Sequence, residues 1–174
     1  ATRGEVLVEE VIPKHLDAVI AKLKEVGSEI EVGPDWVRVK GNSRLLPTDV
    51  KTFPYPGFPT DLQAPMIVLL TQAKGTSFVT ENVFEERFNH LSELRKMGAE
   101  IKLGGRTAII EGGHELSGAP IKAMDLRGGA AFIIAGLVSR GETHLAGVEH
   151  IDRGYERIEE RFKSLGVDIK RIQK

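Results

Sequence analysis

Three stretches of the chain place apolar side chains at steps of three and four and then stop at glycine. Leu16, Val19, Ile20, Leu23 and Val26 lead to Gly27; Phe88, Leu91, Leu94 and Met97 lead to Gly98; Tyr155, Ile158, Phe162 and Leu165 lead to Gly166. That spacing gathers the apolar groups on one face of an α-helix, and a glycine just past the last of them suits a C-terminal cap with positive φ. A matching phrase follows each glycine: Ser28-Glu29-Ile30, Ala99-Glu100-Ile101 and Val167-Asp168-Ile169. Each is expected to begin a strand. After the first two, a turn at Gly33-Pro34-Asp35 or Gly104-Gly105-Arg106 leads to a second strand, Trp36 to Lys40 or Thr107 to Ile110. Trp36, in an alternating run, is expected in the core. The third copy reaches Lys174 before such a hairpin forms.

Two further helices are expected from Asp61-Leu62-Gln63 and Asp125-Leu126-Arg127, upstream of Lys74-Gly75 and Arg140-Gly141. The equivalent Arg3-Gly4 has no helix before it. The pattern predicts one α/β domain (α+β by some schemes) over residues 1–174, built from three similar βαβαββ units at about 1–45, 46–115 and 116–174. The first unit is incomplete on its N-terminal side, so the chain is expected to be a piece of a longer protein. Gly128 to Val138 is an eleven-residue apolar run. A membrane span needs roughly twenty, so a buried core helix is expected. The first residues lack a basic region followed by an apolar one, and a cytoplasmic location is the expectation.

Charge narrows the classes further. There are 24 Lys+Arg against 25 Asp+Glu, a net charge of −1, so neither a nucleic-acid nor a membrane surface is expected as partner and any anion site must be local. The absence of cysteine excludes disulfides, thiolate metal sites and a cysteine nucleophile within these residues. His15, His90, His114, His144 and His150 show no ligand spacing, and neither metal nor cofactor is expected. Gly112-Gly113 and Gly128-Gly129 fit no phosphate-loop pattern and read as turn and packing glycines; Ser117 is not in a nucleophile elbow.

Candidate chemistry lies where the units differ. Val50 to Asp61 is eleven residues, Ile121 to Asp125 only four. The insertion contains Phe53-Pro54-Tyr55-Pro56-Gly57-Phe58-Pro59, stiffened by its prolines, and it delivers Thr60-Asp61 to a helix start. Asp61 is either a functional carboxylate or, with Thr60, a helix cap. Arg87 and Arg153 occupy equivalent positions, and Arg127 follows Asp125. They either converge on a phosphate or carboxylate, or are solvated arginines paired to Glu86, Asp125 and Asp152.

Tyr55-Pro-Gly-Phe-Pro-Thr-Asp-Leu-Gln63, Glu81-Asn-Val-Phe-Glu-Glu-Arg-Phe88, Leu116-Ser-Gly-Ala-Pro120, Asp125-Leu-Arg127 and His150-Ile-Asp-Arg-Gly-Tyr-Glu-Arg-Ile158 together resemble the C-terminal half of the bacterial UDP-N-acetylglucosamine 1-carboxyvinyltransferases. These enolpyruvyl transferases start peptidoglycan synthesis. The resemblance spans essentially the whole chain in the family's order and spacing. It implies an inside-out α/β barrel domain of three units, closing on substrate against an N-terminal domain that carries the family's catalytic cysteine loop. It implies transfer of the enolpyruvyl group of phosphoenolpyruvate to the 3-hydroxyl of UDP-N-acetylglucosamine, without metal or cofactor. Asp61 matches the family's carboxylate at the sugar hydroxyl, a candidate general base. Arg87, Arg127 and Arg153 match arginines on the phosphoenolpyruvate side. Val83 and Phe84 match the segment lining the sugar-nucleotide site, through a backbone contact and apolar packing. Pro65 suggests a later helix start than the motif, and Gly128-Gly129 a looser start after Arg127. A stand-alone sugar-nucleotide or anion-binding module, a structural scaffold and the shikimate-pathway relative are the competing readings.

Overall fold

A computed structural model describes residues 1–172. The first part forms β1 (Glu5–Val8), a 3-10 turn (Pro13–Leu16) running into α1 (Asp17–Glu25), β2 (Glu29–Val32) and β3 (Val37–Lys40). These strands make an antiparallel sheet in the order β1-β3-β2. Next come β4 (Val50–Lys51), α2 (Gln63–Thr71), β5 (Gly75–Thr80), α3 (Leu91–Lys96), β6 (Glu100–Gly104) and β7 (Thr107–Gly112). Their sheet runs β4-β5-β7-β6, with β4 parallel to β5 and the other pairs antiparallel. The last part has β8 (Pro120–Lys122), α4 (Leu126–Val138), β9 (His144–Ala146) and α5 (Ile158–Ser164), with β8 and β9 parallel. The fold is mixed α/β, and among the described residues no helix is long and apolar enough to cross a membrane.

The core forms around α2 and α4. In α2 every residue but Pro65 is buried, and in α4 the run from Gly128 to Ile133 is buried together with Ala135. A helix apolar on all sides cannot lie at a surface, so these two pack against each other, with β5 and β7 on another side of α2. Ile67, Leu70 and Phe132 are almost completely excluded from solvent, and burying each such side chain stabilises by about 1.5–3 kcal/mol. The expected core helix at Gly128 to Val138 is α4.

The three glycine caps take φ of +102° at Gly27, +90° at Gly98 and +86° at Gly166. Several other expectations change. Phe88 and Tyr155 lie outside α3 and α5, in the turns that precede them. Val167-Asp168-Ile169 forms no strand. β2 and β6 pair with β3 and β7 across a hairpin, and residues 165–172 have no such partner among the described residues. Ile169 packs its side chain on the core. Trp36 is half-buried and lies just before β3, its ring folded over Gly33, where a β-carbon would collide with it.

The glycine pair after Arg127 serves close approach. A β-carbon on Gly129 would sit 2.5 Å from Ile151 Cγ1 and 3.2 Å from Ala123 Cβ. Gly129 thus lets the 148–154 loop, anchored by buried Ile151, lie on the first turns of α4. Gly129→Ala gains up to about 1 kcal/mol of helix propensity but overpacks this contact at about 1–3 kcal/mol. We expect a net loss, read as a lower urea midpoint; a midpoint equal to or above wild type would show that the loop does not bear on Gly129.

Candidate active site

Asp61, Arg87 and Arg127 meet although they come from three separate segments. The proline-rich loop closes on itself, with Phe53 N–H donating to the Phe58 carbonyl (3.0 Å) and Gly57 N–H to that of Pro54 (2.9 Å). Buried Phe58 pins the loop to the core, and the chain then turns through a 3-10 segment, Thr60–Leu62, into α2. Asp61 sits on that turn. No side chain caps α2 or the 3-10 segment, so the helix-cap alternative for Thr60 and Asp61 is not what is observed. Pro65 is the third residue of α2, where a missing N–H costs nothing, and the α-helix starts two residues after Asp61.

Arg127 is the second residue of α4. The Asp125 carboxylate caps this helix, accepting from the N–H groups of Arg127 and Gly128 at 2.9 Å each. Because α2 and α4 pack together, their first turns adjoin, and Arg127 Nε donates to Asp61 Oδ1. Arg87, on the loop between β5 and α3, donates from Nη1 to the same oxygen at 3.1 Å. Its guanidinium lies over the Phe84 ring, 3.9 Å from the centroid, which fixes the planar group from one side. Side-chain exposure falls from 62% for Asp61 to 38% for Arg127 and 17% for Arg87, so the arginines form the wall and Asp61 faces out.

These groups open on a cleft of about 200 Å³ lined by Thr60, Gln63, Arg87, His90, Asp125 and Arg127 among others. The hydrogen bond from Arg127 holds the Asp61 carboxyl below the usual aspartate range; partial burial opposes this and Arg87 adds to it. His90 is pushed down to about 4 by burial, against the weaker pull of the Asp125 charge and the Arg87 backbone. Gln63 Nε2 and His90 Nε2 are buried without a hydrogen-bond partner among the described residues, and both residues line this cleft.

Not every expected residue joins the group. Arg153 is exposed on the loop over α4, does not line the cleft, and makes no ion pair among the described residues. The alternative pairing with Glu86, Asp125 and Asp152 also differs from what is found. Arg87 and Arg127 bind Asp61, Asp125 caps its own helix, and Asp152 is held by Arg171 at 2.7 and 2.8 Å. The N–H groups of Val83 and Phe84 both point inward to Glu81 Oε1, at 2.8 and 3.0 Å, while the Phe84 ring is 45% exposed. Glu81, which its motif alone does not single out, is fully buried. A signal was available: Ser77, Val79 and Glu81 form one inward-facing alternate series. Gln63 and His90 had no comparable signal, since their position depends on the approach of α2 and α4.

Comparison with known proteins gives the family of the chain. The enolpyruvyl transferase NikO from Streptomyces tendae superposes with a TM-score of 0.87 at 25% identity, over 96% of this chain and 40% of that one. An EPSP synthase from Acinetobacter baumannii shares the fold alone, with a TM-score of 0.69 at 19% identity. Residues 1–162 match the family described as EPSP synthase (3-phosphoshikimate 1-carboxyvinyltransferase), and the chain belongs to that family. Within it, the chain is 55% identical over 172 residues to UDP-N-acetylglucosamine 1-carboxyvinyltransferase of Clostridium botulinum and 51% identical over 172 residues to UDP-N-acetylglucosamine 1-carboxyvinyltransferase 1 of Carboxydothermus hydrogenoformans. Each comparison covers 99% of this chain but 41% of the relative.

Two titrations check the electrostatics. The Asp61 pairing is complete above the ordinary aspartate pKa and is lost as pH falls through the lowered value. Carboxyl NMR should therefore show the Asp61 midpoint rising in Arg127→Ala, and by less in Arg87→Ala; equal shifts would contradict the ordering. His90 is neutral when folded and takes up a proton near 6.5 when unfolded, so stability should decline as pH falls from 6.5 to about 4. The loss is on the order of 3 kcal/mol. His90→Gln should flatten that part of the urea-stability profile, and an unchanged slope would exclude His90 as its source.

Proposed function

We propose that these residues are the C-terminal domain of an enolpyruvyl transferase that moves the enolpyruvyl group of phosphoenolpyruvate to the 3-hydroxyl of UDP-N-acetylglucosamine, releasing phosphate in the first committed step of peptidoglycan synthesis. The observation that carries this reading is the single Asp61 oxygen held by both Arg87 and Arg127 at the mouth of one cleft. It is supported by the names of relatives at 51–55% identity. The likeness to the A. baumannii EPSP synthases is 19–20%, which favours the sugar-nucleotide reaction over the shikimate one. On this reading the domain is one inside-out barrel of three units over residues 1–174, and an N-terminal domain outside this chain supplies the other wall.

The chemistry follows from the groups present. Two guanidinium groups on one carboxylate oxygen make a site for a carboxylate or phosphate, and Asp61 occupies it in the resting state. When phosphoenolpyruvate brings its own anionic groups, the arginines turn to them and the hold on Asp61 relaxes. Its carboxyl pKa then rises toward the ordinary value, making it a better base when substrate is in place. Asp61 takes the proton of the sugar 3-hydroxyl as that oxygen bonds to C2 of phosphoenolpyruvate. A donor outside this chain protonates the methylene carbon. Loss of a proton from the resulting methyl group then restores the double bond as the C2–phosphate oxygen bond breaks. The arginines stabilise the charge that develops on the phosphate and carboxylate. Arg153, on the adjoining loop, joins them when the cleft closes. The Phe84 ring offers the sugar nucleotide an apolar surface.

The isolated chain is expected to release no phosphate from the two substrates, because half of the positioning is missing. In the full-length protein Asp61→Asn should lower kcat about 10²–10⁴-fold and Arg127→Ala about 10²–10³-fold. Turnover by the isolated 174 residues would overturn the half-site reading. Full-length activity with shikimate phosphate but not the sugar nucleotide would overturn the substrate assignment. Calorimetry of the isolated chain with UDP-N-acetylglucosamine, repeated with Asp61→Ala and Arg153→Ala, locates the binding surface; unchanged heats would place it elsewhere.

A further inference from the structure

We infer that Glu81 is a positioning residue that sets the spacing of Asp61 and Arg87 while touching neither. Its carboxylate is completely buried and accepts four hydrogen bonds. Oε2 takes the Thr60 hydroxyl at 2.9 Å. Oε1 takes the Thr52 hydroxyl at 2.8 Å and the N–H groups of Val83 and Phe84 at 2.8 and 3.0 Å.

Each oxygen therefore serves a different arm of the site. Thr60 adjoins Asp61 on the 3-10 turn that precedes α2, so Oε2 fixes the carboxylate arm. Phe84 carries the Arg87 guanidinium on its ring, so Oε1 fixes the arginine arm. The two arms close the triangle at the Arg87–Asp61 ion pair, 3.1 Å long. Arg106 braces the same loop from outside, donating from Nε to the Glu81 carbonyl (2.8 Å) and from Nη2 to that of Phe84 (3.1 Å).

Burial alone would raise the pKa of Glu81, but the donors from Phe84, Thr52, Val83 and Thr60 outweigh it and hold the group ionised. An ionised carboxylate suits this task because both oxygens accept and neither must donate. A glutamine in its place offers one acceptor oxygen and one NH2, so it can keep the Val83–Phe84 turn only by reversing the Thr60 hydroxyl. A buried charge with four donors is also stiff: moving any one arm strands a polar group without a partner. A misplacement of about 1 Å in a reacting group can cost 10²-fold in rate, so such stiffness has direct value at the cleft.

The inference rests on the enolpyruvyl-transfer reading for its kinetic readout, and the test separates the two. Phosphate release would be measured in the full-length protein for Glu81→Gln, Thr60→Val, Thr60→Ser and Asp61→Asn, and for Glu81→Gln combined with Asp61→Asn. Glu81→Gln and Thr60→Val should each lower kcat about tenfold. Thr60→Ser, which keeps the hydroxyl, should recover most of the Thr60→Val loss. In the Asp61→Asn background the Glu81→Gln effect should shrink below about twofold, since a residue acting through Asp61 has nothing left to position. The same tenfold loss in both backgrounds, or a fall in melting temperature with no change in kcat, would overturn the inference. Wild-type protein without phosphate release would instead overturn the functional reading. Carboxyl NMR then decides the positioning role alone: Glu81→Gln and Thr60→Val should raise the Asp61 midpoint and Thr60→Ser should not, and a midpoint unmoved by the first two would overturn it.

Discussion

The packing of α2 against α4 is the constraint on which the site depends. Both helices are apolar nearly all round, so neither can be solvated, and burying them side by side brings their first turns together. Asp61 lies on the 3-10 turn that leads into α2, and Arg127 on the first turn of α4. Each large side chain in this contact stabilises by about 1.5–3 kcal/mol, whereas an exposed ion pair contributes about 0–1 kcal/mol. The helices therefore hold the ion pair in place, and the ion pair adds little to holding the helices. Asp61 and Arg127 can therefore part without loosening the fold.

The elements most legible in the sequence were those fixed by local physics. Helix faces at steps of three and four, positive-φ glycines at 27, 98 and 166, and the eleven-residue apolar run all concern one element and its immediate cap. Expectations failed where pairing decides. Val167-Asp168-Ile169 has the composition of the two earlier strand starts but no hairpin partner among the described residues, and β structure exists only where a ladder can form. Trp36 failed for a related reason, because the ring found its contact across the turn on Gly33 and not between layers.

The site was legible in its residue types and less so in its geometry. Asp61 was picked out by the insertion that breaks the repeat, Arg87 by its repeat position and Arg127 by the helix entry at Asp125, yet nothing local said that both arginines would share one carboxylate oxygen. Glu81 shows the converse. A charged residue after a strand reads as solvated, and only the inward alternation of Ser77 and Val79 marks it as interior. Buried polar groups are the hardest to read from sequence because their partners come from distant segments: Thr52, Thr60 and the Val83–Phe84 turn all converge on this one side chain.

The near-neutral composition conceals how the arginines are kept available. Each has an acidic residue close by in sequence, and a guanidinium that paired with its neighbour would be spent. The structure diverts two of those neighbours. Asp125 is engaged by the backbone N–H groups at the start of α4, and Asp152 by a two-pronged bond to Arg171, which also holds Glu159. Arg127 is then left to reach Asp61 across the helix contact, and Arg153 is left without an ion pair among the described residues. In a chain with a net charge of −1, Arg87 and Arg127 thereby stand side by side at one cleft, both on the exposed carboxylate of Asp61 and neither paired with the acidic residue nearest to it in sequence.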